Sequence, residues 1–125
     1  MIASVAAESV AFPRTVRLLT PADFGQVFKR NKRASNHHWI VLVHRSSSHT
    51  ARIGMAIAKK KAKRAVDRNR IKRVVRESFR DQQQALAGLD IVVLNKPSAA
   101  TANTRQLRAS IDAIWLELSQ QSDNK

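Results

Sequence analysis

An α+β sandwich is the fold class this sequence predicts, and three observations predict it. Stretches with apolar residues at helical spacing alternate with short, continuous β-branched runs in the order α-β-β-α-β-α. The 125 residues suffice for one buried core, and no linker is long enough to separate two. The hydrophobic and charged fractions, 43% and 26%, are those of an ordinary globular chain.

The first helix is announced by Thr20-Pro21-Ala22-Asp23: a capping hydroxyl, a proline at the first helical position and an acid in the first turn. Phe24, Val27 and Phe28 follow at i, i+3 and i+4, which sets a helix from Pro21 to about Lys29. Asn31 to His38 is polar and basic and reads as a loop. Trp39-Ile-Val-Leu-Val43 reads as a buried strand, and Arg52 to Ala58 as a second, with Ile53, Met55 and Ile57 on one face. A hairpin through Ser46 to Thr50 joins the two most simply. Gly54 marks a bulge or a close approach to the backbone.

The second helix begins between Val66 and Arg70 and ends near Leu86. At 100° per residue, Ile71, Val74, Val75, Ser78 and Phe79 fall in one sector, while Lys72, Arg73, Arg76 and Arg80 lie opposite. Ala65 and Val66 leave that stripe, so the regular helix is expected to start after them. Gly88 supplies a stop. Asp90 to Leu94 is a third strand, apolar enough to be covered on both faces. Leu107, Ile111, Ile114, Trp115 and Leu118 mark the last helix, with fraying expected from Ser119 to Lys125. The mildly apolar residues 1–10 read as a variable extension, since Glu8 and the lack of a basic start argue against a signal peptide.

Charge is the abnormal quantity. Twenty-three Lys and Arg against nine Asp and Glu give +14, the footprint of a polyanion partner. Nearly half of the cations lie in Lys59–Arg80, KKKAKRAVDRNRIKRVVRESFR, where eleven face only Asp67 and Glu77. The apolar stripe is needed for the core, which disfavours a membrane-surface helix and favours a nucleic acid. No apolar run reaches the ~18 residues that span a bilayer. The absence of cysteine excludes disulfides and thiolate metal sites and fits a reducing, cytoplasmic setting.

Self-contained catalysis is not indicated. The carboxylates are scattered without a pairing for two metals, there is no Gly-rich phosphate loop, and Ser46 to Ser48 lack a nucleophile's context. His37, His38, His44 and His49 read as loop and strand-end residues; a metal site would need further ligands converging from a distance. Catalytic and metal-ligating residues are therefore expected to be none. Lys59-Lys60-Lys61 and Arg68-Asn69-Arg70 suit phosphate contacts, and Asn69 suits a helix N-cap equally well. Phe24 and Phe28 are either core or a ledge on which unstacked bases sit, and Trp39 either joins that ledge or anchors the sheet.

The run AKKKAKRAVDRNRIKRVVRESFR, centred on Arg68-Asn69-Arg70, resembles the signature of the protein subunit of bacterial ribonuclease P. Phe12-Pro13-Arg14 with Arg17-Leu-Leu-Thr and ADFGQVFK, the strand Arg52-Ile-Gly-Met and the strand Asp90-Ile-Val-Val-Leu extend the likeness over residues 11–118, taken as one RNA-binding domain. The resemblance implies a left-handed βαβ crossover, against the usual hand, and a short fourth strand. It implies a subunit that binds a catalytic RNA and the 5′ leader of precursor tRNA, one protein per RNA. The RNA cleaves, with Mg²⁺ held mainly by RNA subunit and substrate. By position, Lys59, Lys60, Lys61, Arg64, Arg68, Asn69, Arg70, Lys72, Arg73 and Arg76 would face RNA. Phe24, Phe28, Trp39, Arg14 and Arg17 would line the leader cleft. No role transfers to residues 1–10 or 45–51. A ribosomal protein or general RNA chaperone, using the same charge nonspecifically, is the competing expectation.

Overall fold

The computed structural model describes residues 17–45 and 50–123. The elements are β1 (Arg17–Leu18), α1 (Pro21–Lys29), β2 (Lys32–Ser35), β3 (Trp39–Arg45), β4 (Arg52–Ala56), α2 (Ala65–Gln82), β5 (Leu89–Asn95), a 3₁₀ turn (Pro97–Ala100) and α3 (Thr104–Asp123). They form one sheet of order β1-β4-β5-β3-β2, with α2 and α3 on one face and α1 on the other.

Each element follows from its residues. At the start of α1, Thr20 Oγ1 accepts from the Asp23 N–H at 3.2 Å, and Asp23 Oδ2 accepts from the Thr20 N–H at 3.1 Å. This reciprocal box satisfies two of the orphan donors of the first turn. Arg52 on β4 donates to the same carboxylate at 2.9 Å and to Asp90 on β5 at 2.7 Å, tying the helix start to the sheet. Burial alone would raise the Asp23 pKa, but the Thr20 hydrogen bonds and the Arg52 guanidinium outweigh it and hold it below 3.8. A carboxylate with a lowered folded pKa adds stability above its unfolded value and forfeits it as pH falls through the folded one. Asp23→Asn is therefore expected to lower the melting temperature at pH 7 and to flatten its decline between pH 5 and 3. Parallel curves for variant and wild type in thermal melts would reject this role.

The main core lies between sheet and helix pair. Trp39, Val41, Ile53, Met55, Ile91 and Val93 meet Ile71, Val74, Val75, Phe79, Leu107, Ile111 and Trp115. Along the helix seam, Phe79 and Trp115 meet edge to face at 6.1 Å. There the Trp115 indole donates to Ser78 at 2.7 Å, and Ser78 donates to Asp112. Ser78, polar yet on the buried stripe, is thus paired. On the opposite face a smaller cluster joins Leu19, Phe24, Val27 and Val92, with Leu42, Ala56 and Leu94 partly buried around it.

Five expectations are corrected. β3 and β4 do not form a hairpin: β5 lies between them, antiparallel to β3 and parallel to β4. It is the strand buried on both faces, so the centre is where its apolar surface is best covered. Residues 32–35, read as loop, form edge strand β2 on β3; only Ala34 turns inward, so no alternation showed in the sequence. Helix α2 starts at Ala65 rather than after Val66, and Arg64, not Asn69, takes the N-cap position. Its first turn projects into solvent, where no apolar stripe is required, and Val66 is exposed. Finally, α3 continues past Ser119 to Asp123. Strand β4 ends at Ala56, two residues short of the expected Ala58. Gly88, at φ 86°, makes the left-handed turn before β5 that a side chain would strain. Residues 1–16 and 46–49, including the N-terminal extension, Arg14 and His49, lie outside the described residues.

Candidate nucleic-acid interface

The parallel pair β4 and β5 is joined by α2, and the chain enters that helix through residues 57–64. This loop is pinned from three sides. Its Ala58 N–H donates to Asn95 Oδ1 at 2.8 Å, at the end of β5. Ala62 is fully buried, and the Lys61 and Ala62 N–H groups both donate back to the Ala58 carbonyl at 3.1 Å. Arg68, one turn into α2, donates from Nη1 to the carbonyls of Ala62 at 2.9 Å and Lys63 at 2.8 Å. The result is a fixed turn from which Lys59, Lys60 and Lys61 project into solvent.

Arg68 and Arg70 therefore act on the protein's own backbone. Arg70 donates to the Ala102 carbonyl at 2.6 Å and to that of Ala100 at 3.2 Å, and lies 3.5 Å from Asp67. It fastens α2 to the segment entering α3. Arg64, Asn69 and Arg73 are exposed, while Lys72 and Arg76 are half-buried. Asn69 sits inside the helix. Asp67, which pairs with Arg64 and Arg70, is the one acid between Lys59 and Arg76, so cations far outnumber acids along this surface. Such a surface favours a polyanion over any small anion.

The aromatic residues separate. Phe24 is buried with its ring against Gly54 of β4. Phe28 stacks on it at 6.4 Å and 20° and is 49% exposed. One ring is thus a foundation and the other a ledge. Trp39 does not join them. It is fully buried in the opposite layer, and its indole N–H donates to Ser110 on α3 at 2.8 Å. Its place at a strand start could not show which face of the sheet it takes. Arg17 is described by its backbone in β1 alone.

Sequence reasoning missed the sheet's own contribution. Ile40, Leu94 and Ala56 are side by side in the register and half-buried, on the α1 face. They lie at the sheet end where β4 leaves for the lysine turn, so an apolar floor leads from the Phe24–Phe28 pair to Lys59–Lys61. Period-two alternation would have found them, but Trp39–Val43 is apolar at every position and conceals it.

The histidines read as expected for solvated loops in part: His37 is exposed, and His38 Nδ1 lies 2.8 Å from Ser98 Oγ. Burial, then the His37 charge, depresses the His38 pKa. Among the described residues no three His, Asp or Glu side chains converge as a metal site would require. No helix among them is long and apolar enough to cross a membrane.

An α+β domain that carries a cationic turn and an exposed aromatic ledge has the surface of a nucleic-acid-binding protein. The ribonuclease P family model matches residues 12–119, and the chain belongs to that family. It is 46% identical over 110 residues to the ribonuclease P protein component of Nitrosococcus oceani, spanning 88% of this chain and 92% of the relative. Among solved structures it resembles the ribonuclease P protein of Staphylococcus aureus, with TM-score 0.70, 29% identity, and 78% and 89% of the two chains covered. The protein from Thermotoga maritima gives TM-score 0.70 at 28% identity, covering 79% and 94%.

Proposed function

We propose that this chain is the protein subunit of a ribonuclease P ribonucleoprotein, which binds the RNA subunit and the 5′ leader of precursor tRNA and promotes removal of that leader. The observation that carries the reading is the pinned turn Lys59–Lys61 at the end of β4, the strand whose Gly54 supports the Phe24–Phe28 stack. Lysines give sequence-independent grip on phosphates, and a solvent-facing ring stacks an unpaired base. A leader is single-stranded and offers both. In this reading the RNA subunit cleaves and the protein positions. Mg²⁺ ions would be held by RNA phosphates, with one protein per RNA, in the cytoplasm.

Reconstitution tests this. At low Mg²⁺, precursor tRNA should be cleaved by RNA subunit plus protein far faster than by either alone. Cleavage by protein alone would assign catalysis to the polypeptide, and an unstimulated RNA subunit would favour a general RNA chaperone. Phe28→Ala should weaken binding of leader-bearing precursor roughly tenfold, as expected for one lost base stack, and leave mature tRNA nearly unaffected. Equal losses on both would make the ring a packing element.

A further inference from the structure

A second concentration of charge lies away from the motif. Lys29, Arg30, Lys32 and Arg33 supply four cations in five residues, across the end of α1 and the edge strand β2. All four are exposed. Arg45, also exposed, lies at the same end of the β2–β3 ladder as Lys32, beyond the Lys32–Val43 pair. No Asp or Glu occurs between Asp23 and Asp67, and Asp23 is engaged with Arg52. Among the described residues none of these five cations forms an ion pair.

Two ordinary structural duties could account for such residues, and neither suffices. Cations at a helix end can satisfy its last carbonyls. Here Asn31 does so: its side-chain N–H₂ donates to the carbonyls of Val27 at 2.9 Å and Phe28 at 3.3 Å, while the Arg30 N–H takes that of Gln26 at 2.9 Å. A charged edge strand resists pairing with other sheets. That duty needs a single lysine on a strand of four residues, not five clustered cations whose mutual repulsion the fold must bear.

We infer that Lys29, Arg30 and Arg33 on the α1 side, with Lys32 and Arg45 just over the sheet edge on the face of Val43 and Leu89, form a second phosphate-contact surface that wraps the β2 edge, for the stretch of precursor leader beyond the bases at Phe28. The inference rests on the leader-binding reading above. Lys29 and Arg30 directly follow Phe28 in the chain, and Arg33 shares the sheet face of Leu42, which packs beneath α1. An RNA strand leaving the ring toward the β2 edge meets these cations and no acid. The surface adds grip without base readout, so it serves leaders of any sequence, provided they are long enough to reach it.

The test compares wild type with K29A/R30A/K32A/R33A, reconstituted with the RNA subunit, on precursors bearing a short and a long leader. Long-leader affinity should fall at least tenfold, and its slope of log affinity against log salt should drop by about 2 to 3, as for four lost single-strand contacts. The short-leader precursor should lose much less. The charge reversal Arg33→Glu should shift the long-leader precursor in the same direction, and coincident thermal melts would show that the fold is retained. Equal losses with both precursors, or with the RNA subunit alone, would assign the phosphates to the RNA subunit and overturn the proposal. Wild-type protein that fails to stimulate cleavage rejects the functional reading. A stimulating wild type with a variant indistinguishable from it rejects this surface alone.

Discussion

Arg68→Ala is expected to cost more RNA affinity than the loss of one charge. A guanidinium that merely touches a phosphate takes about one unit from the salt slope when removed. Arg68 instead holds the carbonyls of Ala62 and Lys63, and a hydrogen bond from a charged donor contributes about 1.5 to 3 kcal/mol to its surroundings. Without it the turn carrying Lys59, Lys60 and Lys61 loosens, and three further contacts lose their fixed geometry. The slope should fall by about 2 to 3 units, with affinity down more than tenfold. The same substitution placed on top of Lys59→Ala, Lys60→Ala and Lys61→Ala should change the slope little. Arg68→Lys, which keeps the charge without the forked donor, should rescue only partly. A loss of one unit in both backgrounds, fully restored by lysine, would show that Arg68 meets phosphate directly.

Gly54→Ala should produce the largest loss of stability among small substitutions. An added Cβ would stand 2.7 Å from Cε1 and 2.8 Å from Cε2 of Phe24, and nearer still to Cζ. Real side chains do not approach so closely, and β4 is locked between β1 and β5, so the ring must leave. Overpacking of this kind costs about 1 to 3 kcal/mol, which for a chain of this size lowers the melting temperature by roughly 4 to 15 °C. Phe28, stacked on Phe24, loses its support, and preference for leader-bearing precursor should fall with it. Phe24→Ala empties the same space, so the double variant should lose much less than the sum of the two singles. Additive losses in thermal melts would mean that ring and glycine do not share one volume.

What the sequence disclosed was local. The box at Thr20 and Asp23 lies within four residues, and the stripe Ile71, Val74, Val75, Ser78 and Phe79 repeats within one helix, so periodicity and capping chemistry found both. The turn at Gly88 was legible for the same reason. Strand neighbours were not, because nothing near Val43 or Arg52 records that residues 89–95 will pass between them. The site divided likewise. The cations and Phe28 were visible as exposed chemistry in a familiar order. That Arg70 answers carbonyls 30 and 32 residues away, or that Trp39 faces the helix pair, depends on packing alone.

The place of β5 in the sheet also dictates when the surface comes into being. During synthesis β3 has only the four-residue β2 for a partner, and β4 only the two-residue β1, until Leu89 to Asn95 emerges. The centre of the sheet closes last, through pairings far apart in the chain, the circumstance in which folding takes milliseconds to seconds rather than microseconds. Asn95, the last residue of that strand, holds the Ala58 N–H. A nascent chain therefore carries most of its positive charge well before it has the turn that directs it, and its grip on RNA matures only when the final strand arrives.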